Sequence, residues 1–179
     1  MFVCCLIFLF SCSRENDISQ EIIPVPNGDF EIWDNLLFLE SWQTNSCAPC
    51  DPPYESYIIQ KDSNAYQGLF AAHFIYNEVF ASHAINDFSI PAHPSYLTAY
   101  VKSKLPASDS ILIRVNLFNN GIPVDSGKMY ITSSISNYTQ IEIPITQSNT
   151  DSDSASITIR SGAQTGSELW IDHLQLIKD

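Results

Sequence analysis

Three features of this sequence predict an all-β fold, with antiparallel sheets packed face to face as a sandwich. Apolar and polar residues alternate in several short runs of the second half, turn formers separate those runs at regular intervals, and helical spacing with capping residues is nearly absent. A chain of 179 residues suits one domain with a short appendage. With 45% apolar and 12% aromatic residues it can fill a core, which excludes global disorder. The charge of −12 argues against a surface that gathers phosphates, so nucleic acid is not an expected partner.

Each predicted element has its own warrant. Asp51 to Gln60, after its prolines, holds at most one short helical turn. Leu69 to Tyr76 and Tyr96 to Lys104 are rich in aromatic and β-branched residues and bounded by turn formers. In Ser110 to Phe118, Ile111, Ile113, Val115 and Leu117 share one side while Arg114 and Asn116 face the other, the period of a half-buried strand. Asn119-Asn120-Gly121 then supplies the positive-φ residues of a hairpin turn. Ile141 to Ile145 alternates too, and Pro144 suits an edge strand, where a missing N–H donor costs little. Ser156 to Arg160 repeats the pattern, and Gln147 to Ser156 reads as a polar loop.

The last strand, Leu169 to Lys178, changes parity: Leu169 and Ile171 share one face, Leu174 and Leu176 the other. Either both faces are covered or a bulge near Asp172-His173 shifts the register. Asp172, set among apolar neighbours, needs a partner, a cation or a route to solvent.

The amino terminus reads as an export leader. Phe2 to Phe10 is nine apolar residues without a charge, the length of a signal-peptide core and too short to span a bilayer, which takes about 20. No Lys or Arg precedes it, a departure from the usual pattern. Leu9-Phe10-Ser11-Cys12 resembles the bacterial lipobox, which makes Cys12 the expected lipid-bearing residue, held durably by its acyl chains. Cys4 and Cys5 leave with the leader, and Cys47 and Cys50 remain to pair in an oxidising compartment. The expected organisation is a signal peptide over 1–11, a proline-containing tether over 12–26 and one sandwich domain over 27–179.

Beyond this, the segments Asn27 to Trp33 with Trp42, Asn64 to Ala72, Pro94 to Lys102 with Asp109 to Ile113, and Gly166 to Leu176 occur in an order that resembles a known family. That family is the jelly-roll, carbohydrate-binding-module-like and galactose-binding-like domains of bacterial surface lipoproteins. The resemblance implies a jelly roll, a mostly non-catalytic role and a structural calcium joining first and last strands. The matching positions are Glu31 and Asp172, to be completed by backbone carbonyls and Asp29, since calcium takes six to eight oxygens.

Sugar recognition needs aromatic plates beside amides or carboxylates. Trp42, Tyr54 and Tyr57, near Asn45, Asp51 and Glu55, are the first-choice ligand site, and Tyr76, Asn77 and His83 form a second cluster. The pair in Cys47-Ala48-Pro49-Cys50 lacks the strand and helix of a thiol-redox site and is expected to be a loop-stiffening disulfide. His73, His83 and His93, ten apart, match no ligand motif, and no nucleophile elbow, phosphate loop or dinucleotide fingerprint is present. The expected protein is a lipid-anchored outer-membrane module that binds glycan or a surface protein without catalysis. A structural or protein-docking lipoprotein, a glycan-active enzyme and a thiol-redox enzyme are the alternatives.

Overall fold

The computed structural model describes residues 20–46, 58–76, 78 and 80–179. The leader, Cys12, Cys47, Cys50, Tyr54, Tyr57 and Asn77 lie outside the described residues. The described residues form eleven strands and no helix: β1 (Glu21–Pro24), β2 (Gln43–Thr44), β3 (Ile59–Asp62), β4 (Ala71–Ile75), β5 (His83–Ser89), β6 (Tyr96–Lys104), β7 (Ile111–Asn119), β8 (Ile122–Ile131), β9 (Ile135–Pro144), β10 (Ser154–Arg160) and β11 (Glu168–Lys178).

Two antiparallel sheets result. One has the order β3-β4-β11-β6-β9, with β1 paired to the far half of β11; the other has the order β2-β5-β10-β7-β8. From β4 onward every connection except the β7–β8 hairpin crosses from one sheet to the other, which is the winding of a jelly roll. That hairpin turns at Asn120 and Gly121, both at positive φ.

The core lies between the sheets. Ile111, Ile113, Val115 and Leu117 of β7 and Ile157 and Ile159 of β10 are fully buried and face Leu97 and Val101 of β6 and Leu169, Ile171 and Leu176 of β11. Burying each such side chain contributes roughly 1.5–3 kcal/mol. The edges of β8 and β9 approach so closely that a Cβ on Gly127 would stand 2.5 Å from the Pro144 carbonyl oxygen. Pro144 ends the edge strand β9, as a residue without an N–H donor should.

The parity change in β11 is a bulge. Its register against β6 shifts between Asp172 and Gln175, and His173 takes a φ of 50°, so Leu169, Ile171, Leu174 and Leu176 all reach the core. The expected tether needs correction. From Glu21 it is strand β1, paired to β11, with Ile23 and Val25 buried, because the bulged half of β11 leaves a free edge that β1 fills. Most of Asp51 to Gln60, where the sequence allows one short helical turn, lies outside the described residues, and its last two residues, Ile59 and Gln60, belong to strand β3.

Candidate functional site

Alternation in β4, β11, β6 and β9 sends every second side chain to the outer face of the six-stranded sheet. There His73, Trp170 and Lys102 stand directly opposite one another on adjacent strands. His73 stacks on Trp170 with centroids 4.1 Å apart at 7°, and the Lys102 ammonium lies 4.1 Å from the Trp170 centroid and 5.6 Å from that of Tyr138. The Trp170 indole N–H donates to Asp62 Oδ2 at 2.7 Å, His73 Nε2 lies 3.1 Å from Glu168 Oε2, and Lys104 pairs the other oxygen, Glu168 Oε1, at 3.0 Å.

Burial pushes the His73 imidazole below its ordinary pKa, against the opposing pull of Glu168. A neutral ring beside a carboxylate carries its proton on Nε2 and donates it there. Burial pushes the Asp62 carboxyl upward, but the Asn64 N–H and the Trp170 indole outweigh it and hold the group below the usual range.

In the next row, Tyr100 of β6 lies between Asp172 and Gln140. The loop joining β3 to β4 folds over this row and lays Tyr66 flat on Tyr100, with centroids 3.5 Å apart at 8°. Tyr138 and His173 tilt against the edges of Tyr66, and the Tyr138 hydroxyl donates to the Asn64 carbonyl at 2.6 Å. Tyr66 is 43% exposed, so its outer ring face is an apolar plate open to solvent. Beneath it, Gln140 Oε1 accepts from the Tyr100 hydroxyl at 3.3 Å, and Lys102 stands in the neighbouring row over Trp170 and Tyr138.

Two carboxylates pin that loop. Asp172 Oδ2 accepts the N–H groups of Tyr66 (2.8 Å) and Gln67 (2.9 Å), and its Oδ1 accepts that of His173. Glu31 Oε1 accepts those of Leu69 (2.7 Å) and Phe70 (3.1 Å). Gly68, at φ 76°, passes so close that a Cβ there would overlap Glu31 Oε1. Asp172 has no exposed surface, and burial, only partly offset by its three N–H donors, holds its carboxyl above the ordinary range.

Glu31 and Asp172, both expected to hold calcium, therefore meet at one loop. With Asp29 they line a pocket of about 430 Å³ whose walls include no Lys or Arg. The donors are all oxygens, as calcium requires. Among the described residues no three His, Cys, Asp or Glu side chains assemble to hold a metal, so main-chain carbonyls would have to complete the shell.

Trp42 requires correction as a sugar plate. It is 6% exposed, tilts against the buried Phe30 at 5.5 Å and donates its indole N–H to the Asn27 carbonyl, so its ring faces the core. Tyr76 donates to the Glu78 carbonyl near the start of β5, while His83 and Asn45 lie on the other sheet. The three histidines part company: His73 is on the aromatic face, His83 on the opposite sheet, and His93 sits 3.1 Å from Ser152 Oγ and 3.6 Å from Asp125. The aromatic face is a site the sequence reading misses: Trp170, Lys102 and His73 lie on three strands more than twenty residues apart in the chain, and only the strand order brings them together.

No family model and no curated protein matches the sequence. Solved structures do match. TmCBM61 in complex with β-1,4-galactotriose superposes at a TM-score of 0.53 and 14% identity, over 86% of this chain and 92% of that one. A family 16 carbohydrate-binding module does so at 0.50 and 14%, over 69% and 87%. The arabinose-bound MgGH51 α-L-arabinofuranosidase does so at 0.54 and 14%, over 87% of this chain but 26% of the enzyme. The chain shares with these carbohydrate-binding modules the jelly-roll sandwich of two antiparallel sheets.

Proposed function

We propose that this protein is a non-catalytic glycan-binding module, held at the outer membrane by a lipid on Cys12, and that a sugar chain lies across Tyr66 on the outer face of the six-stranded sheet. The exposed Tyr66 plate, set on Tyr100, with Gln140 on the Tyr100 hydroxyl and Lys102 in the neighbouring row, carries the reading. A flat ring suits the C–H face of a pyranose, and the ammonium and amide suit its hydroxyls. The likeness to modules solved with oligosaccharides supports the same class of ligand.

The acids named on this face favour binding over hydrolysis: Glu168 is already engaged by His73 and Lys104, and Asp62 and Asp172 fail on protonation and on access. A glycosidase needs one carboxyl held protonated near neutral pH beside the scissile bond. Asp62 is held below the ordinary range, and Asp172, which is held above it, has no exposed surface and points its oxygens at backbone N–H groups.

Affinity electrophoresis of the full chain against β-1,4-galactan, mixed-linkage glucan and arabinan tests the proposal. At least one polymer should retard the wild type, and Tyr66→Ala should weaken that by about tenfold, as loss of one stacked aromatic plate does. Retardation by none would favour a structural or protein-docking role.

The same proposal seats a calcium ion at Glu31 and Asp172, with Asp29 and main-chain carbonyls completing its shell. It is supported by the acidic pocket at the pinned loop. Calcium should raise the melting temperature of the wild type and leave that of Glu31→Gln unmoved; an equal response from both would place the ion elsewhere. Labelled palmitate should enter the wild type and not Cys12→Ser.

A further inference from the structure

The opposite face of the sandwich carries a different chemistry. On the five-stranded sheet, alternation buries Ala84, Ile157, Ile159, Ile113 and Val115 and turns His83, Ile85, Thr158, Arg160, Leu112, Arg114, Lys128 and Tyr130 outward. Arg114 stands directly opposite Lys128 on β7 and β8. Arg160 on β10 is paired with His83 on one side and Leu112 on the other, one diagonal step from Arg114. Three of the chain's eight Lys and Arg residues thus share one face in a molecule of net charge −12. Among the strand residues of this sheet, Asp87 is the sole acid on that face.

This placement costs stability, because like charges directly opposite across a strand pair repel. With twenty acidic residues in the chain, complementary partners were available in composition. Among the described residues, Arg114, Lys128 and Arg160 form no ion pair within 4.0 Å. A second observation points the same way. At the Arg160 end a pocket of about 500 Å³ is lined by Asn45, Phe80, Ala81, His83, Thr158 and Arg160. It offers a guanidinium, an imidazole and a hydroxyl beside an aromatic ring, the equipment for an anionic sugar rather than for a bare ion.

We propose that the outer face of the five-stranded sheet binds an acidic polysaccharide, with Arg160, Arg114 and Lys128 engaging carboxylate or sulfate groups on successive sugars and one sugar seated in the pocket beside Phe80. The three cations occupy three adjacent strands: Arg114 and Lys128 stand one strand spacing apart, about 4.8 Å, and Arg160 stands on the diagonal from Arg114, about 7–8 Å away. An extended polymer that crosses the strands obliquely therefore passes Arg160, Arg114 and Lys128 within a few sugar units. Arg presents a planar fork that matches both carboxylate and sulfate. The site is separate from the Tyr66 face, so a neutral glycan and an acidic one would be held on opposite sides of the domain.

The test is affinity electrophoresis of the full chain in gels containing polygalacturonate, heparin or neutral galactan. Wild type should be retarded by polygalacturonate, heparin or both, which identifies carboxylate or sulfate as the recognised group. Added salt should weaken the effect through screening. The triple variant Arg114→Gln, Lys128→Gln, Arg160→Gln should lose about tenfold or more of that affinity while keeping its melting temperature, since charge-assisted contacts are removed and a repulsion with them. Tyr66→Ala should bind the acidic polymers as wild type does, so failure of the Tyr66 site and failure of this one are distinguishable. Retardation by neither acidic polymer, or equal retardation of the triple variant, would overturn the proposal. So would binding to vesicles of anionic phospholipid in place of both polymers.

Discussion

Asp172 shows how one side chain can set the shape of a surface. Its two oxygens hold three backbone N–H groups, two of them in the loop that carries Tyr66. Replacing it with Ala would strand those donors, each costing about 1–3 kcal/mol when buried. Asp172→Ala should therefore lower stability measurably in urea melts and, by releasing the loop, weaken glycan binding, although Asp172 lies beneath the loop and meets no sugar. Gly68→Ala should do the same by a different route, through a strained φ and a clash with Glu31. Trp42→Ala, in contrast, removes a core ring and should cost roughly 3–5 kcal/mol of stability.

The ionisable residues also give the fold a pH dependence with a definite sign. Asp125 is 8% exposed; burial pushes its carboxyl upward, but Ser148 and Thr146 hold it below the ordinary carboxylate range. Asp109 is likewise lowered, against burial, by Ser167 and the N–H groups of Ala163, Ser110 and Gln164. Lowered carboxyls contribute stability that is complete above the unfolded value and lost as pH falls below it. Asp172 is raised and acts oppositely, favouring the fold most in acid and less as pH rises through and above 3.8. Below about pH 4 the lowered group should dominate, so wild type should lose stability there and Asp125→Asn should lose less; equal slopes in denaturant melts between pH 2 and 5 would contradict this.

At the scale of elements, legibility followed hydrophobic alternation. Strands β6, β7, β10 and β11 announce themselves because their inward positions are Ile, Leu, Val and Ala. Strand β8 does not, because two of its inward positions are Asp125 and Gly127, one filled by a hydrogen-bonded carboxylate and the other by the close approach of Pro144. Strand β1 is hidden by Pro24 at its end and Pro26 just beyond, which favour an extended path in a tether and in an edge strand alike, and only pairing with β11 decides between them. The bulge in β11 was legible as a change of parity, but the loop that Asp172 pins was not, since that contact spans more than a hundred residues. The candidate site was unreadable for a related reason. An outward aromatic in a strand becomes a plate only when neighbours on other strands stack beside it, and strand order is not written in local sequence. If β1 belongs to the fold, a chain beginning at Asn27 should unfold at a lower temperature than the full chain, because Ile23 and the free edge of β11 would be exposed.

At the scale of the whole molecule, the two sheets divide the labour of holding and presenting. Their inner faces build one continuous core, which leaves the outer faces free to carry aromatic residues on one side and cations on the other. The three tryptophans make the central claim measurable, because Trp170 stands on the aromatic face, Trp42 in the core and Trp33 donates to the Phe30 carbonyl. Two-dimensional NMR of the labelled protein, titrated with oligosaccharides of the neutral polymer that retards it, reads each indole N–H separately. Saturable movement of the Trp170 indole and the Tyr66 and Gln67 amides, with Trp42 unmoved, is the predicted result; shifts confined to Trp42 or Trp33, or no shift at millimolar sugar, would contradict it.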